Sequence, residues 1–160
     1  MAGAKSGEYR LDALLELRQR EEDDKKTALA EAIALTMAAR QELAAAHAQE
    51  AAARHEHAQA VARAAEKMRA GPTSVREAVD AKHYAERLRL AIEAAQRRVE
   101  QVAARVRDAE SAEEVARAQV GEAVKARQAI DKHKESWQAE RKRELERKAE
   151  TEADDHSRKR

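Results

Sequence analysis

Residues 8–70 contain neither glycine nor proline, and from Val75 onward the only interruption of either kind is Gly121. Glycine loosens a backbone and proline removes an amide donor, so runs this long without them leave helix as the one regular structure available. Forty of the 160 residues are alanine, the best helix former, whereas Leu, Ile and Val together number only 22. So few large aliphatic side chains cannot fill a compact core and would by themselves suggest disorder. The choice lies between a long helical rod and a disordered chain, and hydrophobic periodicity decides it.

Punctuation sets the organisation. Gly3 and Gly7 mark a loose N-terminal segment over residues 1–8, and a first long helix is expected over 9–70. Gly71 suits the left-handed position after a helix end and Pro72 cannot continue the helix, so 71–74 is expected to be a turn. Ser74-Val75-Arg76-Glu77 then has the spacing of a capping box, in which Ser74 accepts the amide of Glu77 and Glu77 returns the bond. A second long helix is expected over 75–150, with residues 151–160 a frayed charged tail. Gly121 lies inside it, at a cost of about 1 kcal/mol relative to alanine, as a hinge, a close-approach point or a tolerated surface glycine.

The second helix carries the clearer period. Alternating steps of four and three from Leu88 give Ile92, Ala95, Val99, Val102, Val106, Ala109, Glu113, Ala116, Val120 and Ala123, then Arg127, Ile130, Lys134 and Trp137. Only Glu113 among the positions to Ala123 is polar, a heptad repeat that a disordered chain has no reason to keep. The first helix is looser. Leu11, Leu14, Leu15, Leu29, Ile33, Leu43, Val61 and Met68 mark its inner face, and alanine fills the rest.

Two such helices joined by a short break fold back on one another, because neither buries its stripe alone. The expected fold is therefore all-α, a long antiparallel two-helix coiled-coil hairpin. With the turn centred near residue 72 or 73, facing residues have numbers totalling about 145, which sets Trp137 against Glu8 or Tyr9 and Ile130 against Leu14 or Leu15. Beyond Trp137 the second helix overhangs its partner. Residues 138–150 hold Leu145 as their one large aliphatic residue among Arg, Lys and Glu, and spaced pairs such as Glu144 with Lys148 support such a helix.

Chemistry for catalysis is missing. The glycines lie at 3, 7, 71 and 121, which matches no phosphate-binding loop or dinucleotide fingerprint, and no cofactor is expected. There is no cysteine for a thiol nucleophile or a metal site. His55 and His57 are the closest histidine pair, but on a helix they point about 200° apart. The acidic run Glu21-Glu22-Asp23-Asp24 offers carboxylates without a desolvated pocket to tune them. A net charge of +1 gives no field toward nucleic acid, and three aromatic residues make no stacking platform, even though 82–107 is locally basic. No apolar run is long enough to span a membrane and no signal peptide is visible, so a cytoplasmic protein without membrane insertion is expected.

The ends of the sequence carry a resemblance. Tyr9-Arg10-Leu11-Asp12-Ala13-Leu14-Leu15-Glu16-Leu17-Arg18-Gln19-Arg20-Glu21-Glu22 resembles the opening of the FliJ family of flagellar export proteins. Arg127-Gln128-Ala129-Ile130-Asp131-Lys132-His133-Lys134 resembles that family's arginine followed by an aliphatic, an acid and lysines. Trp137 and the Arg/Glu-rich stretch to Asp155 are similar to the charged tail of FliJ and of its injectisome counterparts, the YscO-type stalk proteins. The sequence departs at Tyr9, where phenylalanine is usual, and at His133, where FliJ proteins often carry leucine. The histidine leans toward the injectisome branch.

The resemblance implies an antiparallel helical hairpin similar to the γ-subunit stalk of rotary ATPases, non-enzymatic, with both chain ends inserted in the hexameric export ATPase. Such a protein stimulates hydrolysis, links the ATPase to the export gate and handles export chaperones, at the cytoplasmic side of the membrane-embedded machine. Candidate ATPase contacts are Arg10, Leu11, Leu14, Leu15, Arg18, Arg20, Trp137, Arg141, Arg143 and Arg147. Leu11, Leu14 and Leu15 also serve hairpin packing, and Trp137 either closes the base against Tyr9 or stands out as an anchor. His83 and Tyr84 form a candidate tip or gate contact, and Gly71, Pro72, Ser74 and Glu77 make the cap and turn. The alternative is a structural coiled coil that self-associates as a scaffold or spacer.

Overall fold

The computed structural model describes residues 9–158, with side chains as far as Asp154; the expected loose segment 1–8 lies outside the described residues. Two helices account for almost all of them, α1 over Asp12–Ala70 and α2 over Val75–Arg158. No strand occurs among the described residues. The fold is an all-α antiparallel coiled-coil hairpin.

Helix α1 opens three residues later than the sequence suggests. Residues 10 and 11 form a turn in which the Asp12 amide donates to the Tyr9 carbonyl at 3.1 Å. Asp12 then places a carboxylate in the first turn, where the exposed amides favour negative charge. At the other end α1 stops at Ala70, but Gly71 is not in the left-handed conformation expected of it, since no glycine among the described residues has positive φ. Pro72, with no amide to donate and a ring that excludes the next helical turn, therefore carries the stop.

The start of α2 is a full capping box. The Glu77 amide donates to Ser74 Oγ at 3.2 Å, and the Ser74 amide and hydroxyl donate to the Glu77 carboxylate at 3.1 and 3.0 Å. Lys67 Nζ reaches that carboxylate from α1 at 2.9 Å. At its far end α2 continues through Arg158, beyond the expected limit at 150. Nothing in 150–158 breaks a helix, and the Thr151 hydroxyl returns to the Arg147 carbonyl at 2.8 Å.

The chain divides into two compact units, one of Met1–Ala30 with Val115–Arg160 and one of Glu31–Glu114, here the terminal unit and the turn unit. In the turn unit the seam of α2 is Leu88, Ile92, Ala95, Val99, Val102, Val106, Ala109 and Glu113, all buried or half-buried. The α1 seam is Ala32, Thr36, Ala39, Leu43, Ala46, Glu50, Ala53, His57, Ala60 and Ala64, also all sheltered. Val61 and Met68, expected on the inner face, are 47% and 56% exposed. Each lies one or four residues past an alanine that takes the seam position instead, because alanine lets the backbones approach too closely for a larger neighbour to enter.

Antiparallel pairing inside the turn unit is fixed by Arg40 with Glu110 at 2.6 Å, Glu42 with Arg98 and with Arg105, and the Tyr84 hydroxyl donating to Glu56 at 3.1 Å. In the terminal unit the seam runs through Leu11 of the turn, Leu15, Arg18, Glu22 and Leu29 of α1, and Ala116, Val120, Ala123, Arg127, Ile130, Lys134 and Trp137 of α2. Lys25 falls on the same heptad but is exposed and donates to Gln119 at 3.1 Å. Gly121 is exposed, with nothing within 4 Å of where a Cβ would stand, so it is no close-approach point.

Candidate functional site

The terminal unit joins two of the chain's three aromatic residues to a cluster of ion pairs. Tyr9 is buried, its ring centroid 5.4 Å from that of Trp137 and 5.7 Å from that of His133. His133 and Trp137 are four residues apart on α2 and so share one face. The Tyr9 hydroxyl and His133 Nδ1 are hydrogen-bonded at 2.6 Å. The two departures from the FliJ pattern, a hydroxyl added at 9 and a ring nitrogen at 133, are thus each other's partners. Arg141 stacks its guanidinium 5.6 Å from the Trp137 centroid, so the indole is half-buried between Tyr9 and a cation.

Ion pairs extend this layer along the seam. Lys134 Nζ donates to Asp12 at 2.6 Å and lies 5.8 Å from the Tyr9 centroid. The Asp12 carboxylate holds the Lys134 ammonium above its ordinary pKa. Farther along the seam, seven residues before Lys134 on α2, Arg127 meets Glu22, which is only 5% exposed. It receives Lys26 at 2.6 Å and Arg127 Nε at 2.6 Å, and these bonds hold its carboxyl below the usual range. Arg127 Nη1 also donates to Asp131 at 2.5 Å. With four charges compensated in place, the cluster satisfies the rule that buried charges are paired.

Among the residues singled out by sequence, the structure brings together Trp137 and Arg141 and buries Leu15, with Leu11 and Leu14 half-buried. Arg18 is half-buried and bonded to Glu21 at 2.7 Å. Arg10, Arg20, Arg143 and Arg147 are exposed, and Arg20 lies 3.9 Å from Glu16. From 138 to 154 only Arg141 is partly sheltered, and Leu145 is 58% exposed. Beside the seam an open groove of about 890 Å³ runs between residues 18–28 of α1 and 115–126 of α2.

In the turn unit His83 is exposed and lines a shallow surface hollow with Asp80, Glu86, Arg87 and Leu90. Tyr84 does not lie free beside it: its hydroxyl is bonded to Glu56, which raises its pKa, and Arg87 stands 5.7 Å from its ring centroid. In the basic stretch 82–107 Arg89 is paired with Glu86 and Glu93, and Arg98 and Arg105 with Glu42. Among the described residues no three His, Cys, Asp or Glu side chains are grouped to hold a metal ion, and no helix is long and apolar enough to cross a membrane.

Sequence reasoning missed Asp12, Glu22 and Asp131 as members of this site. The signal was present, because steps of four and three from Leu11 reach Leu15, Arg18 and Glu22, but polar residues concealed the stripe.

The profile of the YscO-like protein family matches residues 6–157. No curated protein matches the sequence. A solved structure of a proposed YscO homologue from Chlamydia trachomatis aligns with a TM-score of 0.81 over 94% of this chain and 92% of that one, at 19% identity, a likeness of fold. With the profile covering nearly the whole sequence and a hairpin of the same fold, this chain belongs to the YscO-like family, structural components of the type III secretion machinery.

Proposed function

We propose that the chain is a non-enzymatic stalk protein that binds and stimulates the hexameric export ATPase of its secretion system through the terminal unit. The observation that carries this reading is the continuation of α2 past the Tyr9–Trp137 closure as an exposed charged helix. A helix held at its root by an aromatic and ionic layer and displaying arginines along its free length is preorganised to enter an acidic cavity, because ordering costs are met before binding. Arg143 and Arg147 supply the exposed charge, Arg10 of the turn before α1 and Arg20 of α1 add to it, and Leu145 offers an apolar anchor. His83, beside the turn, is the proposed contact to the export gate, and export chaperones are further partners of the same cytoplasmic assembly.

The test is to purify the chain with the export ATPase of its own system and measure complex formation and hydrolysis. Hydrolysis rises and the two co-migrate if the reading is right; an unchanged rate with no complex refutes it. Deleting residues 138–160 removes stimulation while helicity per residue is retained, and full stimulation by the truncated chain would disprove the role given to this helix.

A further inference from the structure

We draw no further inference here: the strongest candidate, the exposed face of α1 in the turn unit where Ala34, Met37, Ala38, Ala45 and Ala48 follow one another along one side of the helix, is an unpartnered stripe of mostly small residues, and nothing in the structure shows what covers it.

Discussion

Val102→Ala separates the buried seam from the exposed apolar residues. Val102 is 0% exposed in the turn unit, whereas Val75, at the start of α2, is 82% exposed. Truncating Val102 removes two buried carbons, about 1.6 kcal/mol of transfer free energy at ~0.8 per methylene, and the cavity left behind brings the loss to about 2–3 kcal/mol. Alanine's better helix propensity returns about 0.5 kcal/mol, for a net loss near 2 kcal/mol. At this chain length that corresponds to a fall of about 4–8 °C in the melting temperature. Val75→Ala deletes the same atoms from water-exposed positions and should change stability by less than about 0.5 kcal/mol in either direction. Thermal unfolding followed by far-ultraviolet circular dichroism measures both. Equal effects from the two substitutions would refute the placement of the seam.

Gly121→Ala should stabilise by about 0.5–1 kcal/mol, because a Cβ there meets open space in a helix interior; a destabilised protein would show that the position needs glycine. Glu77 tests the turn by pH. Lys67 first, and then the Ser74 amide and hydroxyl, hold its pKa at about 2 against an ordinary 4.5. A carboxyl depressed on folding stabilises fully above its unfolded value, and the benefit fades as pH falls from about 4.5 toward 2. Glu77→Gln should therefore be less stable than the parent at pH 7, with the difference shrinking steadily as pH falls from about 4.5 toward 2, and a difference that did not change over that range would rule out the charge as its source. Trp137 is the chain's single tryptophan, so its fluorescence reports the terminal cluster. Tyr9→Ala should red-shift the emission and Tyr9→Phe should leave it nearly in place, since the phenyl ring still covers the indole; equal shifts would place the role in the hydroxyl.

The α2 stripe was legible because its large aliphatics fall on nearly successive heptad positions, and every position from Leu88 to Trp137 is sheltered. The capping box was legible because its chemistry is local, with Ser74 and Glu77 needing only each other. The α1 seam was legible only in part: Leu11, Leu15, Leu29 and Leu43 lie on it and alanine fills much of the rest. Thr36, Glu50 and His57 occupy core positions that a polarity count assigns to the surface, while Leu35 and Met37 are 66% and 57% exposed. Polarity fails there because Thr36 bonds its own helix, its hydroxyl donating to the Ala32 carbonyl at 3.0 Å, and Glu50 is neutralised by Arg54 at 2.6 Å. The terminal ion pairs were hidden for a different reason: Glu22 and Arg127 lie 105 positions apart, and only the register of the hairpin brings them together.

These polar seam residues also bear on which coiled coil the chain forms. An alanine-rich stripe buries little area and discriminates poorly among partners, so the pairing it adopts must be chosen by something else. In a parallel dimer of two copies each seam residue meets its own counterpart. Glu22 would face Glu22, Arg127 would face Arg127 and Lys134 would face Lys134, placing like charges across a sheltered contact. Folding back within one chain gives Glu22 to Arg127 and Asp12 to Lys134 instead. The ion pairs add little net stability over apolar residues of the same size, because desolvation offsets most of their attraction. Their effect is in the alternatives they make costly, and the parallel two-stranded rod that a generic spacer would use is the one most penalised. Self-association is thereby left to surfaces outside the seam.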